Sequence, residues 1–285
     1  MENKFREKWI LNEADWHEYI PHHYHVSAIG ADNQDLPPNT HYGPCLRQAF
    51  YRIVNPKEKG VGTEGNLYVG TTIHEKLQEI QKKNVPHSII EFPLFGKHEN
   101  ITYSGSIDIT EFQKGSFMPI IIDVIDIKSA SEYTLPKHET DYNPTYFNQL
   151  YLYAFILSSF YLTEVVVNNL EVWYVNKHNY ATHVIKQKYD QQIGRQKYTS
   201  FLERCTVLDD HLEANTLPDK EPMRWCRYCD YRQLCDSGCV LEENIKTYTE
   251  EEVEELYMKK TGKSPNWRGN KTKAFIQFRG AFKIG

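Results

Sequence analysis

Apolar and polar residues follow two periods along this chain of 285 residues, and the two periods predict both helices and strands. Apolar residues spaced three and four apart predict helices, whereas short runs rich in valine and isoleucine predict strands. The predicted helices cover residues 44–53, 70–83, 145–160 and 191–213, and the predicted strands cover residues 88–95, 101–110, 119–128, 165–175 and 181–186. The glycine-rich residues 57–70 predict a loop. This order predicts an α/β fold with a mixed central β-sheet flanked by helices.

The most apolar of these strands, within residues 119–130, ends by presenting two charged side chains, Asp126 and Lys128. Residues two apart on a strand share a face, so we expect the carboxylate and the ammonium to stand side by side. Burying either charge alone would cost on the order of several kcal/mol. A metal ion held by the carboxylate would offset this cost, and so would a plain ion pair. Asp123, three residues from Asp126, is expected to point to the opposite face and to be a background residue.

Three other polar positions are expected to converge on this strand end. Asp108 lies in the preceding predicted strand, which a short connection makes an antiparallel neighbour. Gln149 and Tyr153 are four apart on a helix that is apolar almost all round, so they share a face and need hydrogen-bond partners. His74 lies at the margin of the apolar face of its helix. A histidine there is more often a satisfied core-edge residue, and its role depends on what faces it.

Composition fits one elaborated domain, because 40% hydrophobic and 25% charged residues allow a sizeable core. No apolar run approaches the roughly 20 residues that span a bilayer, and the N-terminus lacks the apolar core of a signal peptide. We therefore expect an intracellular, cytoplasmic protein, in which disulfides rarely persist. The formal net charge of −5 gives no global sign of nucleic-acid binding.

Three cysteines within ten residues, Cys226, Cys229 and Cys235, indicate a metal site in such a protein. Two other cysteines compete to be the fourth ligand. Cys239 would complete a local site, and four thiolates suit zinc as well as iron. Cys45, at the start of the first predicted helix, would instead join the two ends of the chain over one centre, as in an iron–sulfur site. The spacing leaves both choices open.

The residues after Glu255 include no acidic side chain and mix basic with aromatic residues. Such a mixture suits a phosphate backbone and stacked bases. A tail that docks on the acidic body of the protein is the alternative. The predicted regions are an N-terminal extension (1–43), a core (44–215), a cysteine lobe completed by Cys45 (216–245) and a basic tail (246–285).

Taken in chain order, these positions resemble the motifs of the PD-(D/E)XK nuclease superfamily, specifically its Cas4-like and RecB-type branch with an iron–sulfur cluster. The resemblance spans about residues 44–236. It rests on the ordered set Cys45, His74, Gly105-Ser106-Ile107-Asp108, Asp126-Ile127-Lys128, Gln149, Tyr153, Cys226, Cys229 and Cys235. It implies a restriction-endonuclease-like core and a helical iron–sulfur lobe formed by the N- and C-terminal parts. One departure is Asp126, where Cas4-like members often have glutamate, although RecB-type relatives also use the shorter residue.

The resemblance also implies a role for each matched position. A Mg²⁺ or Mn²⁺ ion would be bound by His74, Asp108, Asp126 and the backbone carbonyl of Ile127. Lys128 would position the attacking water or help to deprotonate it. Gln149 and Tyr153 would orient the lysine and the DNA strand. A [4Fe–4S] cluster would be held by Cys45, Cys226, Cys229 and Cys235, and this resemblance ranks Cys45 above Cys239.

The implied function is a metal-dependent DNA exonuclease acting on single-stranded ends, in recombination and repair, viral DNA metabolism or CRISPR-type spacer processing. The expected partners are DNA and proteins of a DNA-processing complex. Polarity and strand preference are not implied. Two other functions stay open: a non-catalytic DNA-binding or adaptor protein on the same fold, and a zinc-stabilised domain without nuclease activity.

Overall fold

The computed structural model describes most of the chain, and every structural statement concerns the described residues. They are 22–31, 44–54, 61–113, 119–132, 134–136, 142–161, 164–221, 226, 229, 231–237, 249–261, 264–267, 270–271 and 275. The helices are α1 (Val26–Ile29), α2 (Leu46–Val54), α3 (Val61–Asn84), α4 (Pro144–Ile156), α5 (Gln191–Glu213), α6 (Arg232–Ser237) and α7 (Glu250–Thr261). The strands are β1 (His23–His25), β2 (Ser88–His98), β3 (Ile101–Phe112), β4 (Ile120–Ala130), β5 (Val165–Asn176), β6 (Thr182–Lys188), β7 (Asn266–Trp267) and β8 (Asn270–Lys271).

The first six strands form one mixed sheet in the order β1-β3-β4-β5-β6, with β2 on the other edge of β3. β1 runs parallel to β3, β4 runs parallel to β5, and the remaining neighbours are antiparallel. β1 pairs with residues 102–104 of β3, and β4 pairs with residues 109–112. Residues 105–108 therefore lie in a gap where β3 has no ladder partner on this edge.

Helices cover both faces of the sheet, as the sequence predicts. The larger core lies between the sheet and the helices α2, α4 and α5, with Phe50, Leu150 and Phe201 fully buried. A smaller core lies on the opposite face beneath α3, around Ile73 and Ile125. Burial on both faces explains why β4 and β5 are nearly continuous apolar runs.

The alternation of side chains in β2 and β3 reverses at one register position, where Glu91 stands opposite Asp108. The register of β2 against β3 is continuous across this position. On one side of it, the pair Ile90–Ile109 belongs to the smaller core beneath α3. On the other side, the pair Phe92–Ile107 belongs to the larger core on the α4 side. Residues two apart on a regular strand share a face, so both strands turn over here. The backbone of Glu91 has a φ of +51° at the point where the two faces of the strand exchange.

The predicted mixed α/β architecture is confirmed, and the five predicted strands and four predicted helices are all present. The bounds of α5 match the prediction, because Asp190 caps the helix by accepting hydrogen bonds from the backbone N–H groups of Gln192 and Ile193. α4 begins at Pro144 after the capping residue Asn143, and its predicted end is a π-helical turn over Leu157–Tyr161.

One predicted boundary is wrong, and one strand was not predicted. Residues 61–69, predicted as part of a glycine-rich loop, form the first turns of α3, because a helix that packs across the sheet overrides weak local propensity. Residues 23–25, assigned to an extension, form β1 and pair with β3. The strand is only three residues long, with Tyr24 buried between two histidines, so no periodic signal marked it.

The described part of the C-terminal region packs within itself. Tyr257 of α7 and Phe275 are buried and meet edge to face at 5.3 Å. Lys271 of β8 pairs with Glu250 and Glu254 of α7. One lysine of the basic tail is therefore bound to the acidic helix. In the described part of the chain, no helix is long and apolar enough to cross a membrane.

A test of the packing around β3 is Gly96→Ala. A Cβ at Gly96 would overlap the ring of its cross-strand partner Tyr103. That ring is held in place, since its hydroxyl is 2.9 Å from the hydroxyl of Tyr198 and the ring packs in a T-shaped arrangement with Phe201. We expect the free energy of unfolding, measured by chemical denaturation, to fall by about 1–3 kcal/mol.

Gly70→Ala in α3 is the matched control, because its Cβ would meet only Ser129 Oγ at an ordinary 3.4 Å. Alanine is favoured over glycine inside a helix by roughly 0.5–1 kcal/mol, so this variant should be unchanged or more stable. Equal losses in the two variants would contradict the packing described for Tyr103.

Candidate active site

The centre of the site is the end of β4, where Asp126 is buried with only 3% of its surface exposed. Lys128 Nζ lies 2.9 Å from Asp126 Oδ1 and 2.8 Å from Oδ2, and the hydrogen bond is made to Oδ1. Asp126 Oδ2 is buried and meets the ammonium as an ion pair, without the alignment of a hydrogen bond. The predicted side-by-side placement is confirmed, and Oδ2 has lone pairs that a second cation could share.

Asp108 joins this pair from the gap in the β3 edge. Its Oδ2 accepts a hydrogen bond of 2.6 Å from the backbone N–H of Ile127, in place of the ladder that ends at Ile109. Burial and the negative charge of Asp126 raise the pKa of Asp108 to about 8, against the opposing effect of Lys128. The two carboxylates are thus held together at an electrostatic cost.

His74 approaches from α3, on the helix that covers this end of the sheet. Its Nδ1 lies 3.5 Å from Asp108 Oδ2. Burial and the positive charge of Lys128 lower the pKa of His74, so the imidazole is neutral near pH 7. A neutral imidazole can offer a ring nitrogen to a metal ion.

Gln149 and Tyr153 come from α4, as predicted, and form a hydrogen bond in which Gln149 Nε2 donates to the Tyr153 hydroxyl at 3.1 Å. The Tyr153 ring packs on Gly105, where a Cβ would come within 3.0 Å of it. Burial and the negative charge of Asp126 raise the pKa of Tyr153, so it stays a neutral phenol. The glycine in the Gly105-Ser106-Ile107-Asp108 motif therefore allows this tyrosine to approach the site.

Tyr146 is a site residue that sequence reasoning missed. Its ring lies beneath Lys128, with Nζ 5.0 Å from the ring centroid. The signal was present, because Tyr146 is three residues before Gln149 and seven before Tyr153 on one helix face. Burial alone would lower the pKa of Lys128, but the charges of Asp126 and Asp108 raise it, so the group remains an ammonium.

Glu91 is a second residue that sequence reasoning missed. Its Oε2 accepts a hydrogen bond of 2.5 Å from Ser106, and its Oε1 accepts one from Gln78 of α3. Its negative charge acts on both His74 and Asp108. No periodic signal marked it, because its position at the site follows from strand pairing.

Asp123 belongs to a separate polar network, in agreement with the prediction that it is a background residue. Its Oδ1 accepts a hydrogen bond of 2.7 Å from Asn169, and Gln113 lies 3.3 Å from Oδ2. Lys186 Nζ lies 3.6 Å from the same Oδ2. The Asp123 carboxylate thus receives hydrogen bonds from amide donors, whereas Asp126 is paired with the ammonium of Lys128.

Within the described ranges, no three histidine, cysteine or acidic side chains are grouped tightly enough to hold a metal ion. Two observations nonetheless fit a divalent cation: the buried Asp126 Oδ2 without a hydrogen bond, and the repulsion between Asp108 and Asp126. Carboxylate oxygens suit Mg²⁺, and the added imidazole of His74 suits Mn²⁺ as well. The role of the Ile127 carbonyl stays a prediction.

Cys45 lies next to the C-terminal lobe, although the chain separates it widely from the other cysteines. The Glu221 carboxylate accepts a hydrogen bond of 2.6 Å from the backbone of Leu46, and its carbonyl lies 4.0 Å from Cys226 Sγ. Burial and the charge of Glu221 raise the pKa of the Cys45 thiol. Cys45 and Cys226 are thus both neighbours of one residue.

The other two predicted cluster ligands follow in successive turns. The backbone N–H of Cys229 donates to Cys226, and that of Cys235 donates to Tyr231. Arg47 of α2 lies 4.0 Å from Cys235 Sγ. Residues next to Cys45 thus contact the segment that carries the other cysteines, but the described residues do not form a cysteine metal site. Cys239 lies outside the described residues.

Comparison with known proteins gives one family. The model of the PD-(D/E)XK nuclease superfamily matches residues 17–236. Among solved structures, SSO0001 is similar, with 17% identity, a TM-score of 0.47 and coverage of 84% of this chain and 98% of that one. A protein named as a candidate exonuclease from Eubacterium rectale is also similar, with 14% identity, a TM-score of 0.45 and coverage of 90% and 97%. No curated protein matches the chain.

The electrostatic cost at the site predicts that Asp108→Asn stabilises the metal-free protein. In EDTA, at a pH above the Asp108 pKa of about 8, the amide removes the repulsion from Asp126 and can keep the hydrogen bond from Ile127. We expect the melting temperature to rise by about 2–4 °C per kcal/mol of relieved repulsion. Mn²⁺ should stabilise the wild type more than this variant.

Asp123→Asn is the matched control, since Asp123 has amide donors and Lys186 as partners. Losing this charge should leave the melting temperature unchanged or lower it. A lower melting temperature for Asp108→Asn in EDTA would show that the Asp108 carboxylate is stabilising and would refute the strained pair.

Proposed function

The chain belongs to the PD-(D/E)XK nuclease superfamily, and we propose that it is a metal-dependent DNA nuclease that hydrolyses phosphodiester bonds. The observation that carries the proposal is the arrangement of Asp108, Asp126 and Lys128. The buried Asp126 and the half-buried Asp108 lie beside each other on neighbouring strands, and the ammonium of Lys128 pairs with Asp126. An ion pair alone would need only one of the two carboxylates.

Asp108, Asp126 and His74 would hold a Mg²⁺ or Mn²⁺ ion, and we include the carbonyl of Ile127. The ion supplies Lewis-acid stabilisation of the charge that develops on the phosphate and makes a water more acidic. In the reaction the water oxygen forms a new bond to phosphorus while one P–O ester bond breaks. The departing ester oxygen takes up a proton, and the proton lost by the water goes to solvent.

Lys128 acts as a fixed positive charge in this proposal. Its pKa is raised, so in the metal-free site it cannot accept the proton of the water. As an ammonium it can donate a hydrogen bond to the attacking water or to a phosphate oxygen and stabilise the negative charge of the transition state. The contact with the Tyr146 ring limits the directions that Nζ can take.

Gln149 and Tyr153 are positioning residues in the same proposal. Gln149 keeps an amide oxygen and a second N–H after its bond to Tyr153, and it is partly exposed, so it can contact the DNA strand. Tyr153 is 2% exposed, so it supports Gln149 and the strand end from below.

We propose single-stranded DNA ends as the substrate and exonucleolytic cleavage as the mode of action. The support is the ordered motif set, which resembles Cas4-like and RecB-type nucleases. The proposed settings are recombination and repair, viral DNA metabolism or CRISPR-type spacer processing, with other DNA-processing proteins as partners. Digestion of end-labelled and circular single-stranded DNA distinguishes the modes, because an exonuclease leaves the circle intact.

We also propose that Cys45, Cys226, Cys229 and Cys235 bind a structural [4Fe–4S] cluster. Two facts support it: Cys45 and Cys226 share Glu221 as a neighbour, and Arg47, two residues after Cys45, lies 4.0 Å from Cys235 Sγ. The Glu221 carboxylate also forms an ion pair with Arg204, which partly offsets its negative charge beside Cys45.

The catalytic proposal predicts that Asp126→Ala and Lys128→Met abolish cleavage of end-labelled single-stranded DNA in Mn²⁺ buffer. Removing one group that stabilises developing charge costs about 10²–10³-fold in rate, and losing a metal ligand should cost at least as much.

The matched controls are Asp123→Asn and Lys186→Met, an aspartate–lysine pair outside the site. They should keep most of the activity. Undiminished cleavage by both active-site variants would exclude the proposal, and DNA binding without cleavage by the wild type would indicate a binding protein.

The cluster proposal predicts that anaerobically purified protein is brown and contains iron and acid-labile sulfide. Its visible absorbance spectrum should show the broad charge-transfer band of an iron–sulfur cluster. Cys235→Ser should lose most of the iron. Cys205→Ser is the control, because Cys205 is fully buried in the main core, as the sequence predicts. Colourless protein with stoichiometric zinc would contradict the cluster and support a zinc-stabilised lobe.

A further inference from the structure

Glu91 occupies an unusual place in the sheet. It stands at the register position opposite Asp108 in the β2–β3 ribbon, where the flanking pairs form but this pair does not. Its φ of +51° lies in the left-handed region, which glutamate rarely adopts. Such a conformation costs on the order of 1–3 kcal/mol, and it persists only where the surroundings enforce it. An asparagine or glycine would remove most of this cost.

Two hydrogen bonds hold the Glu91 carboxylate in place. Gln78, which is buried on α3 one turn beyond His74, donates to Oε1, and Ser106, two residues before Asp108, donates to Oε2 at 2.5 Å. Both donors are therefore close in sequence to proposed metal ligands. Each carboxylate oxygen still has lone-pair capacity, and the residue is exposed to solvent.

Acidic groups outnumber cationic groups around Asp108 in the described part of the site. The charges that act on Asp108 are the carboxylates of Asp126 and Glu91 and the single ammonium of Lys128. Three carboxyl groups therefore meet one ammonium. A divalent cation at this point would bring opposite charge to the excess of carboxyl groups.

We propose that Glu91 is a further carboxylate of the metal centre, which binds the divalent ion through one of the water molecules that the ion retains. This inference rests on the proposed function and deepens it. Mg²⁺ keeps several waters in protein sites, and a carboxylate that accepts a hydrogen bond from such a water strengthens binding without direct coordination. The exposed position of Glu91 suits this role, whereas the buried Asp126 suits direct coordination.

Glu111 provides the comparison that separates a metal role from a structural one. It lies in β3 three residues beyond Asp108, and it accepts a hydrogen bond of 2.8 Å from Gln81 of α3. Both glutamates thus anchor α3 to the sheet through a buried glutamine. Glu111 has an ordinary backbone conformation, and it is not among the charges that act on His74 or Asp108.

The experiment compares Glu91→Gln with Glu111→Gln in the full-length, metal-stripped protein. Mn²⁺ affinity is measured by the loss of the free-ion EPR signal, and the melting temperature is measured in EDTA. We expect Glu91→Gln to weaken Mn²⁺ binding about 10-fold or more, the size of effect typical when an outer partner of a metal site is removed. Glu111→Gln should bind Mn²⁺ like the wild type.

Each outcome decides the proposal. Unchanged Mn²⁺ affinity in Glu91→Gln overturns it, as does an equal loss of affinity in both variants, which would indicate a general structural effect. A second variant, Glu91→Asn, fits the positive φ but has no charge, so it should be at least as stable in EDTA and still bind Mn²⁺ weakly. Wild-type affinity in Glu91→Asn also overturns the proposal.

Asp126→Ala separates this inference from the proposed function. If Asp126→Ala loses Mn²⁺ binding while Glu91→Gln keeps it, the metal centre stands and the role of Glu91 fails. If the wild type does not bind Mn²⁺ or Mg²⁺, the proposed function and this inference fail together.

Discussion

The buried Asp126 and the half-buried Asp108 lie beside each other where β3 and β4 separate, and the arrangement of the site depends on compensating these two charges. Water is largely excluded, so their repulsion is strong, and it raises the pKa of Asp108 to about 8. The protein supplies only part of the compensation, through the backbone N–H of Ile127 and the ammonium of Lys128. In the metal-free state the folded protein therefore retains an unfavourable repulsion between these two groups, as active sites often do.

The scaffold explains how this cost can be sustained. Asp126 and Lys128 extend from a strand buried on both faces, and the β4–β5 ladder continues to Ala130, so the strand end cannot relax away. α3 brings His74 and Gln78 from one face, and α4 brings Gln149 and Tyr153 from the other. Gly105 removes the side chain that would keep Tyr153 at a distance. Each group is positioned by packing that lies outside the site.

The contrast between Asp123 and Asp126 shows which feature distinguishes a functional carboxylate in this sheet. The two residues are three apart on the same strand, and each has a lysine nearby. Asp123 receives hydrogen bonds from amide donors, whereas the buried Asp126 is paired with the Lys128 ammonium and lies beside a second carboxylate. Exposed ion pairs contribute little to stability, but two carboxylates that share one ammonium in a site shielded from water keep a repulsion that a cation would relieve.

The sequence by itself determined the strands and helices, the placement of Asp126 beside Lys128 and the shared face of Gln149 and Tyr153, because these follow from local periods of two and 3.6 residues. Only the tertiary structure decided that residues 61–69 are helical, that His23–His25 join the sheet and that Glu91 lies at the site. Glu91 could not be found locally, because its position depends on the register of β2 against β3 and on the reversal at Asp108. Pairing partners, burial and the balance of charge arise from contacts distant in sequence, which no local pattern encodes.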